Sequence, residues 1–309
     1  MSTTHRPGWA IGLTVLLAAA SWALSGCGSA SPSDPTSAPE TGYAVDSNTL
    51  VFGVVPDSVS TETNYTPLMD YIAQLTGKTV RYHESTDYAA LIEAAIAGKI
   101  DVASFSGFTY VTATNQGASL IPVGSIVTKR GEEPGYYSMA IVPKDSSIQS
   151  LDEFRGLKVC FVDPSSTSGY LFPSYNLLEQ GIDPETDVTP VFAGKHDISV
   201  TKTGEGRECE AGFAEDSEVA KSDAVRVVQQ TQVPGAPIVV SGHLPQAMRD
   251  QLRDILREVT IDQIIAAGVS SADSDGFRAV FYATRPVNDA YYDLIRDICA
   301  KTGAKQCQA

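Results

Sequence analysis

The 309-residue chain has 43% hydrophobic residues, enough for two α/β lobes and more than a single small domain needs. Its 22 lysine and arginine residues are outnumbered by 37 aspartate and glutamate residues, for a net charge of -15. This balance argues against nucleic acid and against an anionic membrane surface as direct partners. Any anion that the protein binds must therefore be held by local hydrogen-bond donors.

The N-terminal segment has the order of a secretory leader. His5 and Arg6 precede an apolar run over 9–24, and small residues lead from there to Cys27. This order resembles the bacterial lipoprotein signal, which implies a lipid on Cys27 and cleavage before it. We therefore predict a signal peptide over 1–26 and an extracytoplasmic protein that is lipid-anchored to the bacterial cell membrane. An uncleaved anchor is the weaker alternative, because the apolar run is short for a spanning helix.

The segment over 27–47 is rich in serine, proline, threonine and alanine and has no hydrophobic period. Such a segment cannot bury enough apolar surface to order itself. We therefore predict a disordered tether between the lipidated cysteine and the folded part.

Four cysteines remain in the exported part of the chain, where disulfides persist. None has the spacing of a metal site, and no cofactor or metal is predicted. Of the three possible pairings, we favour Cys160 with Cys209, on two strand-like segments, and Cys299 with Cys307 near the C-terminus. Buried free thiols are the alternative.

Apolar periodicity predicts alternating strands and helices after the tether. The continuous apolar run over 49–55 predicts a strand that is buried on both faces, and helical spacing predicts helices over 65–76 and 88–97. Further strands are predicted over 78–82 and 100–105. This order is typical of an α/β sheet, in which ligands bind beyond the carboxyl ends of the strands.

The chain then passes to a second lobe and returns. The predicted elements on this path are strands over 136–143, 158–162 and 210–214 and a helix over 169–180. A strand over 237–241 carries the chain back, because the amphipathic helices after it need the first lobe to cover them. The predicted lobes are 48–140 plus 240–309 for the first and 141–239 for the second. Two crossings between the lobes form a hinge.

Three hydroxyl side chains, those of Ser166, Thr167 and Ser168, come together between the strand over 158–162 and the helix that follows. The first amides of a helix lack intrahelical partners, and the helix dipole is positive at that end. Such a turn suits an anion. Simple capping of the helix is the competing interpretation of these residues.

Six segments in matching order resemble the phosphate, phosphite and phosphonate binding proteins of ABC importers. They cover most of the chain after the tether and are 52–56, 86–92, 98–103, 134–138, 161–170 and 192–197. The resemblance implies a two-lobe periplasmic-binding-protein fold of type II character, with the ligand cleft between lobes joined by a two-strand hinge. It also implies a monomer that works with separate permease and ATPase subunits.

The resemblance places residues around a phosphorus oxyanion or small phosphonate. It implies that the hydroxyls of Ser166, Thr167 and Ser168 clasp the oxyanion, with phenolic donors from Tyr88 and Tyr136. By the same carry-over, His196 donates from the second lobe. Ser106 and Tyr110 are further candidates for the cleft wall.

One departure from the family pattern bears on the ligand. Members that take aminoalkyl phosphonates resemble one another in a Pro-Gly-Asp-Pro segment, whereas this chain has alanine in place of the acid over 234–237. A ligand without an amine, such as phosphite, phosphate or methylphosphonate, is therefore favoured. Asp197, Glu215 and Asp216 remain candidate acids that could accept a proton from the ligand or pair with an amine.

Three other functions stay open from the sequence. An enzyme is disfavoured, because no nucleophile elbow, zinc-protease motif, phosphate loop or nicotinamide fingerprint occurs. A sensor with the same fold is possible in principle, although no signalling segment is fused to the chain. The same fold could also bind a sulfonate or a thiamine precursor, since hydroxyl donors do not separate phosphorus from sulfur.

Overall fold

The computed structural model describes residues 42–308, which form two sheets with helices packed on both faces of each. The strands are β1 (Thr49–Val54), β2 (Thr79–His83), β3 (Val102–Ser104), β4 (Leu120–Val127), β5 (Tyr136–Pro143), β6 (Lys158–Phe161), β7 (Thr189–Phe192), β8 (Ala211–Glu215), β9 (Val225–Val233), β10 (Pro237–Ser241) and β11 (Ala283–Arg285). The six-stranded sheet has the order β11-β4-β10-β3-β1-β2, and the five-stranded sheet has the order β7-β6-β8-β5-β9. The predicted two-lobe α/β architecture is confirmed.

Ten α-helices cover these sheets within the described part of the chain. They are α1 (Thr61–Thr76), α2 (Tyr88–Ile96), α3 (Gly107–Asn115), α4 (Phe172–Glu179), α5 (His196–Glu205), α6 (Asp216–Val219), α7 (Gln246–Leu256), α8 (Ile261–Ala266), α9 (Asp275–Val280) and α10 (Asp293–Thr302). Short 3-10 turns lie at Leu151–Phe154, Ser270–Asp273, Asp289–Tyr292 and Lys305–Cys307. Over residues 42–308, no helix combines the length and apolar character needed to cross a membrane.

Strand β1 illustrates why the first sheet is buried on both faces. Side chains alternate across a strand, and Leu50 and Phe52 pack in one apolar core while Val51 packs in the other. Helices α1, α7, α8 and α9 contribute to the first of these cores, and α2, α3 and α10 contribute to the second. The second sheet is covered in the same way, by α4 on one face and by α5 and α6 on the other.

The helix predicted over 169–180 has two parts. A π-helical turn at Thr167–Leu171 precedes α4, which begins at Phe172 and carries a proline in its first turn. Proline lacks the N–H of a regular helix but fits the first turn, where that N–H would have no intrahelical partner. The polar turn over 166–168 therefore opens the π-helical turn and not α4 itself.

The crossings between the lobes lie outside the predicted boundaries. The boundary at 140/141 falls inside β5, which belongs entirely to the second sheet, and the boundary at 239/240 falls inside β10 of the first sheet. The chain crosses instead at 128–135 and at 234–236, where each crossing contains a Pro-Gly pair. The sequence-based boundaries were wrong because a strand keeps its apolar pattern up to the crossing and carries no sign of which sheet it joins.

The two crossings touch each other. A side chain at Gly235 would collide with Ser125 and would lie 2.9 Å from the backbone nitrogen of Gly135, so this close approach requires glycine. The Tyr291 hydroxyl joins both crossings, accepting from the Gly235 N–H at 3.0 Å and donating to the Pro134 carbonyl at 2.6 Å. The hinge is thus tied to the first lobe.

The structure contains the disulfides Cys160–Cys209 and Cys299–Cys307. The first joins the end of β6 to the segment just before β8 in the second lobe, and the second closes the C-terminal turn after α10. These are the two pairings that the sequence analysis favours. No group of three or more metal-ligating side chains occurs within residues 42–308.

Candidate ligand-binding site

A cavity of about 90 Å³ lies between the two sheets. Its polar lining residues are Asp57, Tyr65, Tyr88, Ser104, Ser106, Thr128, Tyr136, His196, Glu215, Asp216 and Ser217. Its apolar lining residues include Val55, Phe105, Ile126 and Ala236. The volume is well below the roughly 300–1,000 Å³ of pockets for drug-sized ligands, so the cavity suits a small solute.

The first-lobe wall forms where parallel strands β1 and β3 end. Asp57 follows β1, and Ser104 is the last residue of β3. The Ser104 hydroxyl lies 3.1 Å from the Tyr65 hydroxyl of α1. Tyr88 enters the cavity from the first turn of α2, where the Asp87 side chain caps the helix by accepting from the Ala90 N–H at 2.8 Å. The site thus occupies the strand-end position expected for an α/β sheet.

The Asp57 carboxyl group lines the cavity. It accepts a hydrogen bond from the Thr61 hydroxyl at 2.7 Å. Burial, and next the nearby charge of Glu215, raise the pKa of Asp57 to about 7. The group can therefore be protonated or charged near neutral pH.

A backbone hydrogen bond from strand β8 fixes the tautomer of His196. The backbone N–H of Glu215 donates to His196 Nδ1 at 2.9 Å, so the ring proton resides on Nε2. Burial lowers the pKa of His196 to about 4, which keeps the imidazole neutral at physiological pH. His196 therefore presents an N–H donor and no positive charge.

Glu215 supplies the second carboxyl group of the cavity. One of its oxygens accepts from the Ser217 hydroxyl at 2.6 Å. Burial raises the pKa of Glu215 to about 7. Two carboxyl groups from opposite lobes, Asp57 and Glu215, thus share one small cavity and disfavour each other's ionisation.

Three phenols face the same cavity. Burial raises the pKa of Tyr65, Tyr88 and Tyr136 above the ordinary tyrosine value, so all three keep their protons and can donate. The Thr167 and Ser168 hydroxyls lie beside Tyr136 and oppose part of its pKa shift. Among the lining residues in the described part of the chain, there is no lysine or arginine.

The structure places six of the sequence-predicted residues in the cavity wall. They are Tyr88, Ser106, Tyr136, His196, Glu215 and Asp216. Ser106 also caps α3, where its side chain accepts from the Thr109 N–H at 3.3 Å, and Asp216 accepts from the Tyr137 N–H at 3.1 Å.

The predicted clasp over 166–168 lies behind Tyr136 and is not among the residues that line the cavity. The Ser166 side chain accepts from the Gly169 N–H at 3.1 Å as a helix cap. Thr167 Oγ1 accepts from the Phe108 N–H of the first lobe at 2.8 Å. Ser168 Oγ is buried and has no hydrogen-bond partner among residues 42–308.

Two further candidates point elsewhere. Asp197 accepts from the backbone N–H of Val59 in the first lobe at 3.2 Å, outside the cavity lining. The Tyr110 hydroxyl donates to Asp289 at 2.7 Å. Cys27, the predicted lipidation site, lies outside the described residues.

Sequence reasoning missed Asp57, Tyr65, Ser104, Thr128 and Ser217 as lining residues. The signal for Asp57 was present, because it comes directly after the buried apolar run that forms β1. Tyr65 carried no such signal, since a tyrosine on an amphipathic helix is as often a core residue.

Comparisons with known proteins place this geometry in a family. A family model described as the periplasmic substrate-binding protein of phosphonate ABC transporters matches residues 52–284. The chain belongs to this family. Its function is therefore that of an extracytoplasmic binding component of an ABC transporter.

Individual relatives agree with this assignment. The phosphate-import protein PhnD of Mycolicibacterium smegmatis is 32% identical over 84% of this chain and 88% of its own length. Two solved structures share the fold. A binding protein component of an ABC phosphonate transporter from Pseudomonas aeruginosa has a TM-score of 0.70 at 20% identity, and the match covers 84% of this chain and 87% of that one. PhnD1 from Prochlorococcus marinus in complex with methylphosphonate has a TM-score of 0.69 at 17% identity, covering 83% and 99%.

Proposed function

We propose that the protein captures a small phosphorus oxyanion that carries a proton, such as phosphate, and delivers it to an ABC importer. The observation that carries this proposal is the composition of the cavity wall. Neutral donors from both lobes converge with two buried carboxyl groups in a space of about 90 Å³. The relative named as a phosphate-import protein supports the same ligand class.

The donors account for binding an anion without a cationic side chain in the wall. Tyr88, Tyr136 and the His196 Nε2–H can each donate to a ligand oxygen. A hydrogen bond to a charged group contributes about 1.5–3 kcal/mol. Three such bonds contribute about 4.5–9 kcal/mol in total, close to the roughly 8 kcal/mol of micromolar affinity before the cost of immobilising the ligand is subtracted.

The carboxyl groups supply the selectivity. A carboxylate at Asp57 or Glu215 can accept a hydrogen bond from a protonated ligand oxygen and repels an oxygen without a proton. Phosphate and simple phosphonates keep a proton near neutral pH, whereas sulfate does not. Above about pH 7, where both carboxyl groups are charged, sulfate would leave a carboxylate facing an anion, at a high energetic cost.

We further propose that the turn over 166–168 completes the oxyanion contacts. Ser168 Oγ is a buried hydroxyl without a partner in the described part of the chain, so it is available to a ligand oxygen. It lies next to Tyr136, which does line the cavity. A ligand oxygen near Tyr136 would come close to this hydroxyl.

An aminoalkyl phosphonate is the second candidate ligand. Asp57, Glu215 and Asp216 give the cavity enough acidic groups to pair with an ammonium. Against it, Ala236 lines the cavity at the position where the aminated members of the family carry an acid. We therefore rank the ligand without an amine first.

The test is calorimetry on the purified protein with phosphate, phosphite, methylphosphonate, 2-aminoethylphosphonate and sulfate. At a pH above 7, where both carboxyl groups are charged, we expect micromolar or tighter binding of phosphate or another ligand without an amine, and no heat with sulfate. A preference for 2-aminoethylphosphonate would select the second candidate. Equal binding of sulfate and phosphate would contradict the assigned role of the carboxyl groups.

We also propose that the protein is a monomer anchored by a lipid on Cys27, with the segment over 27–47 as tether, and that ligand binding closes the lobes. The order of the N-terminal segment supports the anchor. Mass spectrometry of the membrane fraction should find the lipid on Cys27, and Cys27→Ser should release the protein. Retention of the Cys27→Ser protein in the membrane would contradict the lipid anchor.

A further inference from the structure

A lysine joins the two lobes beside the cavity. Lys195, the residue before α5 of the second lobe, extends its side chain to the first-lobe segment that follows β1. Its Nζ donates to the Pro56 carbonyl at 3.2 Å and to the Ser58 carbonyl at 3.3 Å. Hydrogen bonds from a charged donor are stronger than those between neutral groups.

Two more hydrogen bonds join the same segments. The His196 N–H donates to the Asp57 carbonyl at 2.8 Å, and the Val59 N–H donates to Asp197 Oδ2 at 3.2 Å. Together with Lys195, these contacts place four inter-lobe bonds within four consecutive residues of the first lobe. Opening the cleft at this edge would break all four together.

We propose that Lys195 and Asp197 form an inter-lobe latch that stabilises the closed conformation and prolongs the residence of the bound anion. The inference rests on the proposed anion-binding function. Neither residue lines the cavity, so both act as positioning residues. Each is adjacent in the chain to His196, which does line it.

The position of the latch couples closure to assembly of the site. The carbonyls that Lys195 holds flank Asp57, and the amide between Lys195 and Asp197 belongs to His196. Closing the latch therefore brings the first-lobe carboxyl group and the second-lobe imidazole to the same cavity. A ligand that contacts both groups binds the latched state better and shifts the population toward it.

The decisive variant is Lys195→Met, which keeps the length of the side chain and removes its donors. With inorganic phosphate as the probe, we expect the Kd to rise about tenfold, mostly through faster dissociation, since closure follows encounter. The matched control is Lys202→Met in α5, the helix that Lys195 precedes; the Lys202 Nζ pairs at 2.6 Å with Glu208 inside the second lobe. The control should bind phosphate within about twofold of wild type.

A second variant, Asp197→Ala, tests the other half of the latch. We expect a smaller loss of phosphate affinity than for Lys195→Met, because one bond and not two is removed. The unfolding temperature of each variant shows whether the second lobe is intact. Wild-type Kd and dissociation rate in both folded variants would overturn the latch.

A measurement without ligand separates the latch from the proposed function. None of the four bonds involves a ligand, so we expect the ligand-free protein to sample the closed state less often in Lys195→Met. Small-angle X-ray scattering should then give a larger radius of gyration for Lys195→Met than for wild type and Lys202→Met. If wild type binds no phosphorus oxyanion, the proposed function fails and the scattering measurement alone tests the latch. Equal radii of gyration for wild type and Lys195→Met would overturn the latch.

Discussion

The cavity wall around Asp57 and Glu215 and the turn over 166–168 are both polar and both lie deep between the lobes, but they offer opposite chemistry. The wall contains carboxyl groups whose pKa values burial raises to about 7. The turn contains hydroxyls and the first amides of a helical segment, a kind of turn that suits an anion. A protonated oxyanion needs both kinds of partner, one for its proton and one for its other oxygens.

The two regions also differ in how many of their polar groups are hydrogen-bonded within the protein. In the turn, the Ser166 and Thr167 side chains accept hydrogen bonds from the protein, and Ser168 Oγ does not. In the wall, each carboxyl group is bonded through one oxygen, to Thr61 or to Ser217. Binding capacity is therefore concentrated in the wall and at one position of the turn, and substitutions can separate the two.

The largest effect is expected for His196, which belongs to the wall. Because the Glu215 N–H fixes its tautomer, His196→Ala removes an oriented Nε2–H donor and also leaves that backbone N–H without its partner. Loss of a hydrogen bond to a charged ligand costs about 1.5–3 kcal/mol, so phosphate affinity should fall about 10- to 100-fold. Calorimetry measures this directly.

The control for this substitution is His243→Ala, because the His243 side chain is exposed and lies outside the cavity lining. Phosphate affinity in that variant should equal wild type. If phosphate affinity in His196→Ala also equalled wild type, the imidazole would not belong to the binding site.

The next effect concerns the proton on Asp57 and is read from stability without ligand. Its pKa is about 7 in the folded protein and near 3.8 when unfolded, so the stability it contributes is fully present below about pH 4 and is lost as pH rises through 7. Asp57→Asn mimics the protonated group at every pH. As the pH rises from about 4 to 7, the free energy of unfolding should therefore increase in the variant relative to wild type. The difference should grow by up to about 1.4 kcal/mol per pH unit.

Comparing the variant with wild type cancels the titration of other groups to first order. His196, whose pKa is lowered to about 4, acts in the opposite direction, since its stability is lost as pH falls from 6.5 toward 4. Glu215 titrates in the same range as Asp57 and couples to it. A difference in stability that does not change with pH would contradict a raised pKa at Asp57.

Much of the fold could be predicted from hydrophobic pattern alone. The apolar run over 49–55 and the alternation of strands and helices after it correspond to β1 through β3 and the helices between them. By contrast, β9 (Val225–Val233) was missed, because polar residues interrupt its apolar pattern over 229–232 and it forms an edge of the second sheet.

The site was less predictable than the fold, for a physical reason. Sequence reasoning favours motifs that are contiguous in the chain, and the turn over 166–168 is such a motif. The wall is assembled from Asp57, His196 and Glu215, which lie far apart in the chain and meet only where the two folded lobes face each other. Their raised or lowered pKa values arise from burial in that contact and cannot be read from local sequence.

The smallest effect separates two serines two residues apart in the turn. Ser168 Oγ is buried and makes no hydrogen bond within residues 42–308, so Ser168→Ala should leave the free energy of unfolding unchanged or slightly raised. If a ligand oxygen uses this hydroxyl, phosphate affinity should fall about tenfold. Ser166→Ala should do the reverse, since its side chain caps the helical turn by accepting from Gly169 and its loss costs about 1 kcal/mol of stability. Unchanged affinity in Ser168→Ala would leave the wall as the binding surface and reduce the turn to a structural cap.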